Sequence, residues 1–414
     1  DLNACDLAVI KALSAAGVEV FCAGDDDQSI YGFRRANPEG IRRFPQEYEP
    51  SCSLELTECR RCDRAILDLG LFVARQDIRR IDKAICSSGD ARAGLVRIVR
   101  FADQYKEAEA IARLCRYLVS ACKVPPDSIL VLYRSDHNGQ ISKPIRQALQ
   151  EHGLQAATVS DPLRPLNCPR DEEGRLQTEG RQFLSLLKLL VNADDHLAWR
   201  TLLELRKNRV GEKTITAIYD QARKQGVGFV TMLRKIADDP NILQKNGERV
   251  RSAMAEVESI LDAAKPLMAG DLGAFLRAFV GSQITDARVR AEVEAILDRV
   301  MDSSSVTNLE ELLRAIHTSL GEKEQETQKG AVNLMTMHQA KGLTADAVFI
   351  VGAEEEFLPG RATGEQIDDE RRLLYVSITR AKHLLVVTYC LQRTGPQEHM
   401  GNVSTGSTRK LTSF

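Results

Sequence analysis

Strand-like apolar runs fall in two blocks of this sequence with a long helical stretch between them, so a sheet drawn from both blocks must leave that stretch as an insertion. The first block holds "GLVRIVRF" (94–101) and "SILVLYR" (128–134), each followed by a helical pattern, "KEAEAIARLCRYLVSAC" and "ISKPIRQALQEHG". The second holds "VNLMTM" (332–337), "AVFIVG" (347–352) and "HLLVVTY" (383–389), with the helical "DDERRLLYVSITRAK" before the last. Apolar runs alternating with helices are the signature of parallel strands covered on both faces. Between 163 and 330 the spacing becomes heptad-like, as in "RQFLSLLKLLVN" and "VRAEVEAILDRVM", with hardly any strand signal. The expected fold class is α/β, a parallel-sheet domain with an inserted all-helical domain. Its linkers are the polar "DPLRPLNCPRDEEGR" and "LGEKEQETQKGA".

Composition limits what such a chain does. With 414 residues, 43% of them hydrophobic, two or three domains each have a core. The 56 basic and 58 acidic residues leave a formal charge of −2, so any nucleic-acid surface is local rather than global. No run approaches the 18 apolar residues of a membrane span, and the N-terminus has no basic-then-apolar signal pattern. The expectation is a cytoplasmic protein with no membrane partner. Ten cysteines over this length are expected to be mostly buried small hydrophobes. Cys59 and Cys62 form a CxxC pair, but a second pair and a nearby histidine cluster are missing, so neither a metal site nor redox chemistry is expected there.

The densest chemistry lies in "GDDDQSIYGFRRA" (24–36), which puts three carboxylates, an amide, two aromatics and two arginines together. The apolar "VEVFCA" (18–23) before it reads as a buried strand, which would place the cluster at a strand's C-terminal end, where open α/β sheets bind ligands. An amide both donates and accepts, so it responds to a phosphate or an attacking water without being neutralised. Aromatic faces stack on bases whatever the sequence, at about 1–3 kcal/mol per base. A bland acidic turn with a buried Tyr and Phe explains any two of these features but not the whole string.

The string resembles motif III of the superfamily 1 helicases related to Rep and UvrD. The resemblance implies that Gln28 senses the terminal phosphate of ATP and that Tyr31, Phe33 and Arg34 touch single-stranded DNA; Arg35 stands where relatives usually carry glycine. "LTECRRCDRAIL" (56–67) is similar to motif IV, which makes Arg61 an arginine finger and puts Arg60 where a tyrosine stacks on adenine. A guanidinium is always charged, binds phosphate bidentately and stacks on flat rings, so both roles suit it. "VNLMTMHQAKGLTADAVFIVGAEEEFLPG" (332–360) resembles motif V: Thr336 and His338 then face DNA, Lys341 and Gly342 form the turn towards ATP, and Thr344 replaces the glutamate that holds the ribose. "DDERRLLYVSITRAKHLLVV" (368–387) resembles motif VI, with Arg380 as a second arginine at the γ-phosphate. Leu373, Leu374, Val376 and Ile378 would dock the helix, leaving Arg372, Tyr375 and Arg380 to line the cleft.

The sequence contains no G-x-x-x-x-G-K-[ST] loop and not even a Gly-Lys dipeptide, and the resemblance puts Asp1 at the end of the family's acidic motif. The expected organisation is a RecA-like arrangement. Residues 1–44 would be a remnant of the first motor domain (1A), 45–162 and 331–393 the second motor domain (2A), 163–330 a 2B-like helical insertion and 394–414 a flexible tail. The implied function is the C-terminal part of an ATP-dependent DNA helicase that translocates on single-stranded DNA and unwinds duplex. ATP and Mg²⁺ serve the full-length enzyme, with none held tightly by this chain. Its partners are an N-terminal motor half, single-stranded DNA and duplex junctions. The alternative is a non-motor module, derived from a helicase, that binds nucleic acid or protein.

Overall fold

A computed structural model describes residues 2–32, 35–136, 139–158, 163–167, 176–206, 209–303, 306–322, 327–401 and 408–414. The chain separates into two compact units, Asp1–Val159 with Glu324–Phe414, and Ser160–Lys323.

Among the described residues the first unit contains eight strands: β1 Glu58–Cys59, β2 Cys86–Ser87, β3 Leu95–Phe101, β4 Ile129–Tyr133, β5 Ala156–Thr158, β6 Val332–Thr336, β7 Ala345–Val351 and β8 Ala381–Cys390. β1 and β2 pair only with each other, while the other six form one sheet in the order β3-β8-β7-β4-β6-β5. Every pairing in it is parallel. β4 lies between β7 and β6, so neither sequence block makes the sheet without the other. This is the expected α/β fold, a parallel sheet of the RecA-like kind.

Strand side chains alternate faces, and the two cores follow that period. Ile129, Val131 and Tyr133 of β4 pack with Phe349 and Val351 of β7 on one face, under Ile111 and Cys115 of helix Gln104–Ser120 and Ile145 and Leu149 of helix Ser142–Glu151. Leu130 and Leu132 pack with Val348 and Ile350 on the other, under helices Arg64–Ala74 and Glu365–Ile378. Each fully buried Leu or Ile contributes about 1.5–3 kcal/mol of transfer free energy, so this double-sided burial is what holds the strand ends in place.

The second unit is helical, with no strand among its described residues. Its helices share one core in which Phe183, Leu187, Trp199, Leu202, Met232 and Phe279 are almost fully buried. Asp195 and Asp271 cap two of them by accepting from Ala198 N at 2.9 Å and Ala274 N at 2.8 Å. No helix among the described residues is long and apolar enough to cross a membrane.

Three sequence expectations are corrected. Residues 18–23 form no strand, and Phe21 is 92% exposed, because an apolar run becomes a strand only when another strand receives its hydrogen bonds. The helix expected through "ITRAK" stops at Ile378; Thr379 turns back to donate to Val376 O, and Ala381 already pairs with Ala345. The C-terminal stretch is not a flexible tail throughout. Arg409 binds Glu354 at 3.1 Å, Thr412 N donates to Ala353 O at 2.9 Å, and Leu411 packs on the core.

Candidate functional site

Helix Glu365–Ile378 packs against both helix Arg64–Ala74 and the 3-10 turn Asp26–Gln28, which brings three distant segments together. Asp25 caps the turn by accepting from Asp27 N at 3.1 Å, and Gln28 Nε2 donates to Asp25 Oδ2 at 2.7 Å. Arg372 fixes the helix to this turn: its Nε donates to Ser29 O at 2.9 Å, Nη1 to Asp77 at 2.9 Å, and Nη2 to Asp369.

The carboxylates of Asp25, Asp26 and Asp27 lie close enough to share a cation. Lys83 Nζ takes that place, at 2.6, 2.6 and 2.8 Å from the three. Arg42 adds a bond to Asp26 at 3.0 Å, and Arg80 grips Asp27 at 2.7 and 3.1 Å. Burial alone would raise the Asp26 carboxyl, but bonds from Lys83, Ile81 N and Arg42 outweigh it and hold it below the ordinary range. The turn is thus an internal ion-pair network, and as folded it does not fit a metal ion.

A second cluster is cationic. Arg380 is 1% exposed; its Nε donates to Val376 O at 2.8 Å, Nη1 to Leu343 O at 3.2 Å and Nη2 to Thr379 Oγ1 at 3.2 Å. Burial and then the charge of Arg61 pull its pKa down to about 10. Lys341, pulled down to about 8 by burial and by Arg380, donates to Gln28 O at 3.0 Å and stands 5.0 Å from the centre of the Tyr31 ring. Arg61 itself is exposed. Three cations therefore converge with mutual repulsion, an arrangement that an anion of high charge relieves.

Beyond Tyr31 an open cleft of about 1060 Å³ is lined by Ile30, Gly32, Arg134, His338, Asp369 and Glu370 among others. Arg134 follows β4 and His338 lies just past β6, so the cleft opens at the C-terminal ends of parallel strands. Arg134 holds Glu370 by two 2.6 Å bonds. The His338 ring lies 6.4 Å from Tyr31, and burial, then Arg134, lowers its pKa to about 4, so it is neutral at pH 7. Gly32 has no room for a side chain, because a Cβ there would collide with the Asp369 carboxylate.

The remaining expected residues are scattered around these clusters. Thr336 N and Oγ1 both donate to Gln339 Oε1, at 2.8 and 3.0 Å. Gly342 has φ +89°, the left-handed conformation that favours glycine. Thr344 is exposed, and Arg60 is exposed and paired with Glu58 at 3.3 Å. Phe33 and Arg34 lie outside the described residues. Arg35 takes φ +61°, which explains physically why glycine suits that position. Leu373, Leu374, Val376 and Ile378 are buried as expected, but Arg372, Tyr375 and Arg380 do not line an open cleft: they are 5%, 5% and 1% exposed. The helix is covered on its polar side as well, by the 3-10 turn. Sequence reasoning missed Lys83, Arg42, Arg80 and Asp77. The basic run "RRIDK" (79–83) complements "DDD" (25–27), but nothing in either stretch says that they pair.

The chain resembles known proteins along almost its whole length. It is 24% identical over 413 residues to the ATP-dependent DNA helicase Rep of Buchnera aphidicola, covering 95% of this chain and 62% of that protein. It is 27% identical over 424 residues to DNA helicase II of Escherichia coli, covering 95% and 55%. To the ATP-dependent DNA helicase UvrD1 of Mycobacterium leprae it is 26% identical over 416 residues, covering 91% and 51%. The chain thus spans roughly half to three-fifths of these relatives' length. Residues 1–49 match the UvrD/REP helicase N-terminal domain. Residues 56–241 and 288–392 match the UvrD-like helicase C-terminal domain, and since that match takes in well over half of the chain, it belongs to the UvrD-like helicase family.

Proposed function

We propose that this chain is the nucleotide-responsive and strand-gripping part of an ATP-dependent DNA helicase, which couples ATP hydrolysis to translocation on single-stranded DNA and duplex unwinding. The observation that carries this reading is the convergence of Lys341, Arg380 and Arg61 beside Gln28, with Lys341 touching both the Gln28 carbonyl and the Tyr31 ring. Residues 1–44 serve as part of a first motor domain, 45–162 with 331–393 as the second, and 163–330 as the helical insertion. An N-terminal motor half carrying a phosphate-binding loop completes the site.

In that site ATP supplies the high negative charge that relieves the repulsion among the three cations. Arg380 uses three of its five N–H donors to fix its own position, and the other two are available to the γ-phosphate. Arg61, which is exposed, approaches from the other segment, with Arg60 beside the base and Thr344 towards the ribose. Gln28 is oriented through its Nε2, so its carbonyl oxygen accepts from the attacking water. A bound triphosphate raises the charge on Lys341 and draws it from Gln28 O and Tyr31. That change is the physical link between nucleotide state and the DNA side, where Tyr31, Phe33, Arg34, Thr336 and His338 meet the strand. ATP arrives with Mg²⁺, but the acidic turn is filled by Lys83, so no residue here is assigned to the metal.

The chain alone, whose sequence has no phosphate-binding loop, is expected to show no measurable ATPase activity. In the protein that carries the loop, Arg380→Ala is expected to lower kcat by about 10³-fold or more, about 4 kcal/mol, while weakening single-stranded DNA binding far less. Arg380→Lys keeps charge but not the planar fork and is expected to fall between the two. A turnover within about threefold of wild type, roughly 0.65 kcal/mol, in a variant with unchanged melting temperature would sink the assignment.

A further inference from the structure

We propose that Cys59 and Cys62 are a peroxide-responsive dithiol, with Cys59 as the oxidation site and Cys62 as the thiol that resolves it to an intramolecular disulfide. Cys59 ends β1 and is half-buried; Cys62 is 3% exposed and sits just before helix Arg64–Ala74. The Cys62 thiol donates to Thr379 O at 3.5 Å, and the Cys59 sulfur lies against the Cys62 side chain and the backbone N–H groups of Cys62 and Arg61, with the Arg61 cation nearby. Donors aimed at one sulfur beside a guanidinium are surroundings that favour a thiolate. They hold Cys59 down to about 5, although burial opposes them. Contact with the Cys59 side chain, burial and the neighbouring thiolate push Cys62 up, and burial pushes Cys115 up to about 12. Among the described residues, no group of three metal-ligating side chains includes either member of the pair, which argues for a dithiol rather than a metal site.

The chemistry needs a hydroperoxide as oxidant. The Cys59 thiolate attacks one oxygen of hydrogen peroxide, the O–O bond breaks, and Cys59–SOH and hydroxide form. The Cys62 sulfur then displaces that OH, giving the disulfide; the thiol proton leaves with it as water. Two sulfurs are oxidised by one electron each, and the peroxide is reduced by two. Once Cys59 is no longer an anion, the charge that raised the Cys62 thiol is gone, so the second step follows readily.

The ring so closed contains Arg60 and Arg61. It also turns the Cys62 sulfur, now 3.5 Å from Thr379 O, away from the residue next to Arg380. A loss of turnover on oxidation therefore follows, a consequence that rests on the proposed phosphate roles of Arg61 and Arg380.

The test treats the 414-residue chain with limiting hydrogen peroxide at pH 6, alkylates the remaining thiols and maps every cysteine by mass. An ordinary thiol is about 0.3% thiolate at that pH and Cys59 about 90%; the weaker nucleophilicity of a low-pKa sulfur offsets about 40-fold of this, leaving about an eightfold advantage. The 59–62 disulfide should thus form about eight times faster than any oxidation at the exposed Cys5, Cys22, Cys52, Cys86 or Cys122. Cys62→Ser should stop at a Cys59 sulfenic acid that dimedone traps, and Cys59→Ser should leave Cys62 reduced. A wild-type chain with no such disulfide, or with one formed no faster than the exposed cysteines oxidise, overturns the proposal. So does oxidation of Cys62 at an unchanged rate in Cys59→Ser. In the full-length protein, a disulfide that forms without loss of ATPase leaves the dithiol standing and removes the reading of Arg61 instead.

Discussion

Replacing Lys83 with methionine should cost the first unit about 3 kcal/mol at pH 7. Asp25, Asp26, Asp27 and Asp77 are joined by hydrogen bonds to Lys83, Arg42, Arg80 and Arg372, and Arg42 and Arg372 each hold one further carboxylate, Glu39 and Asp369. Methionine fills nearly the same volume but leaves one negative charge uncompensated beside Asp26 and Asp27, whose side chains are 0% and 2% exposed. Breaking a buried pair by removing one partner costs about 3–5 kcal/mol; the lower end applies because Lys83 keeps 17% and Asp25 26% of their exposure. The pH dependence fixes the mechanism. Asp26 is held below its ordinary value, so its contribution is present above the unfolded pKa and disappears as pH falls through the lower folded one. Lys83 is held above its ordinary value, so its contribution is complete below about 10.5 and is lost only as pH rises through the still higher folded value. The gap between wild type and variant should therefore be flat from about pH 5 to 10 and shrink steadily as pH falls below the ordinary aspartate value of about 4. Urea unfolding followed by circular dichroism gives the free energy, and hydrogen exchange at Ile81, whose N–H donates to Asp26 at 2.9 Å, gives the local readout. A cost under about 1 kcal/mol, or one that persists undiminished at pH 2.5, would refute the reasoning.

Arg35→Gly should raise stability by about 1 kcal/mol, because φ +61° strains any residue with a Cβ; a melting temperature unchanged or lower than wild type counts against this. Tyr31→Ala, in the protein with its phosphate-binding loop, should weaken single-stranded DNA binding by about 1–3 kcal/mol and slow unwinding much more than ATP turnover at saturating DNA. Parallel loss of both activities with a large drop in melting temperature would instead make Tyr31 a packing residue.

The sheet was legible because β4 and β7 are buried on both faces, which leaves an apolar run whatever the partner strands are. Residues 18–23 carry the same local pattern and form no strand, since hydrogen-bond partners are not written in the run itself. The end of helix Glu365–Ile378 was misread for a related reason: Arg380 and Ala381 are compatible with helix, and what ends it is the pairing of Ala381 with Ala345 in β7.

The candidate site divides along the same line. Gln28, Lys341 and Arg380 could be singled out because their side chains carry chemistry that few alternatives supply, in strings long enough to be specific. Their surroundings could not, because the partners of Arg372 and Lys341 lie on a turn more than three hundred residues earlier; Arg372 reaches Ser29 across 343 positions and Lys341 reaches Gln28 across 313. Lys83 shows the limit most clearly. Nothing in "RRIDK" distinguishes it from a solvated charge, yet three carboxylates 56 to 58 positions away converge on it. Its ammonium keeps Asp25 in place, Asp25 orients the Gln28 amide, and the Gln28 carbonyl receives Lys341. A residue with no motif of its own thus sets the geometry of those that have one. A variant at Lys83 should therefore disturb Gln28 before it disturbs Arg380, whose three bonds run to its own helix end and to Leu343.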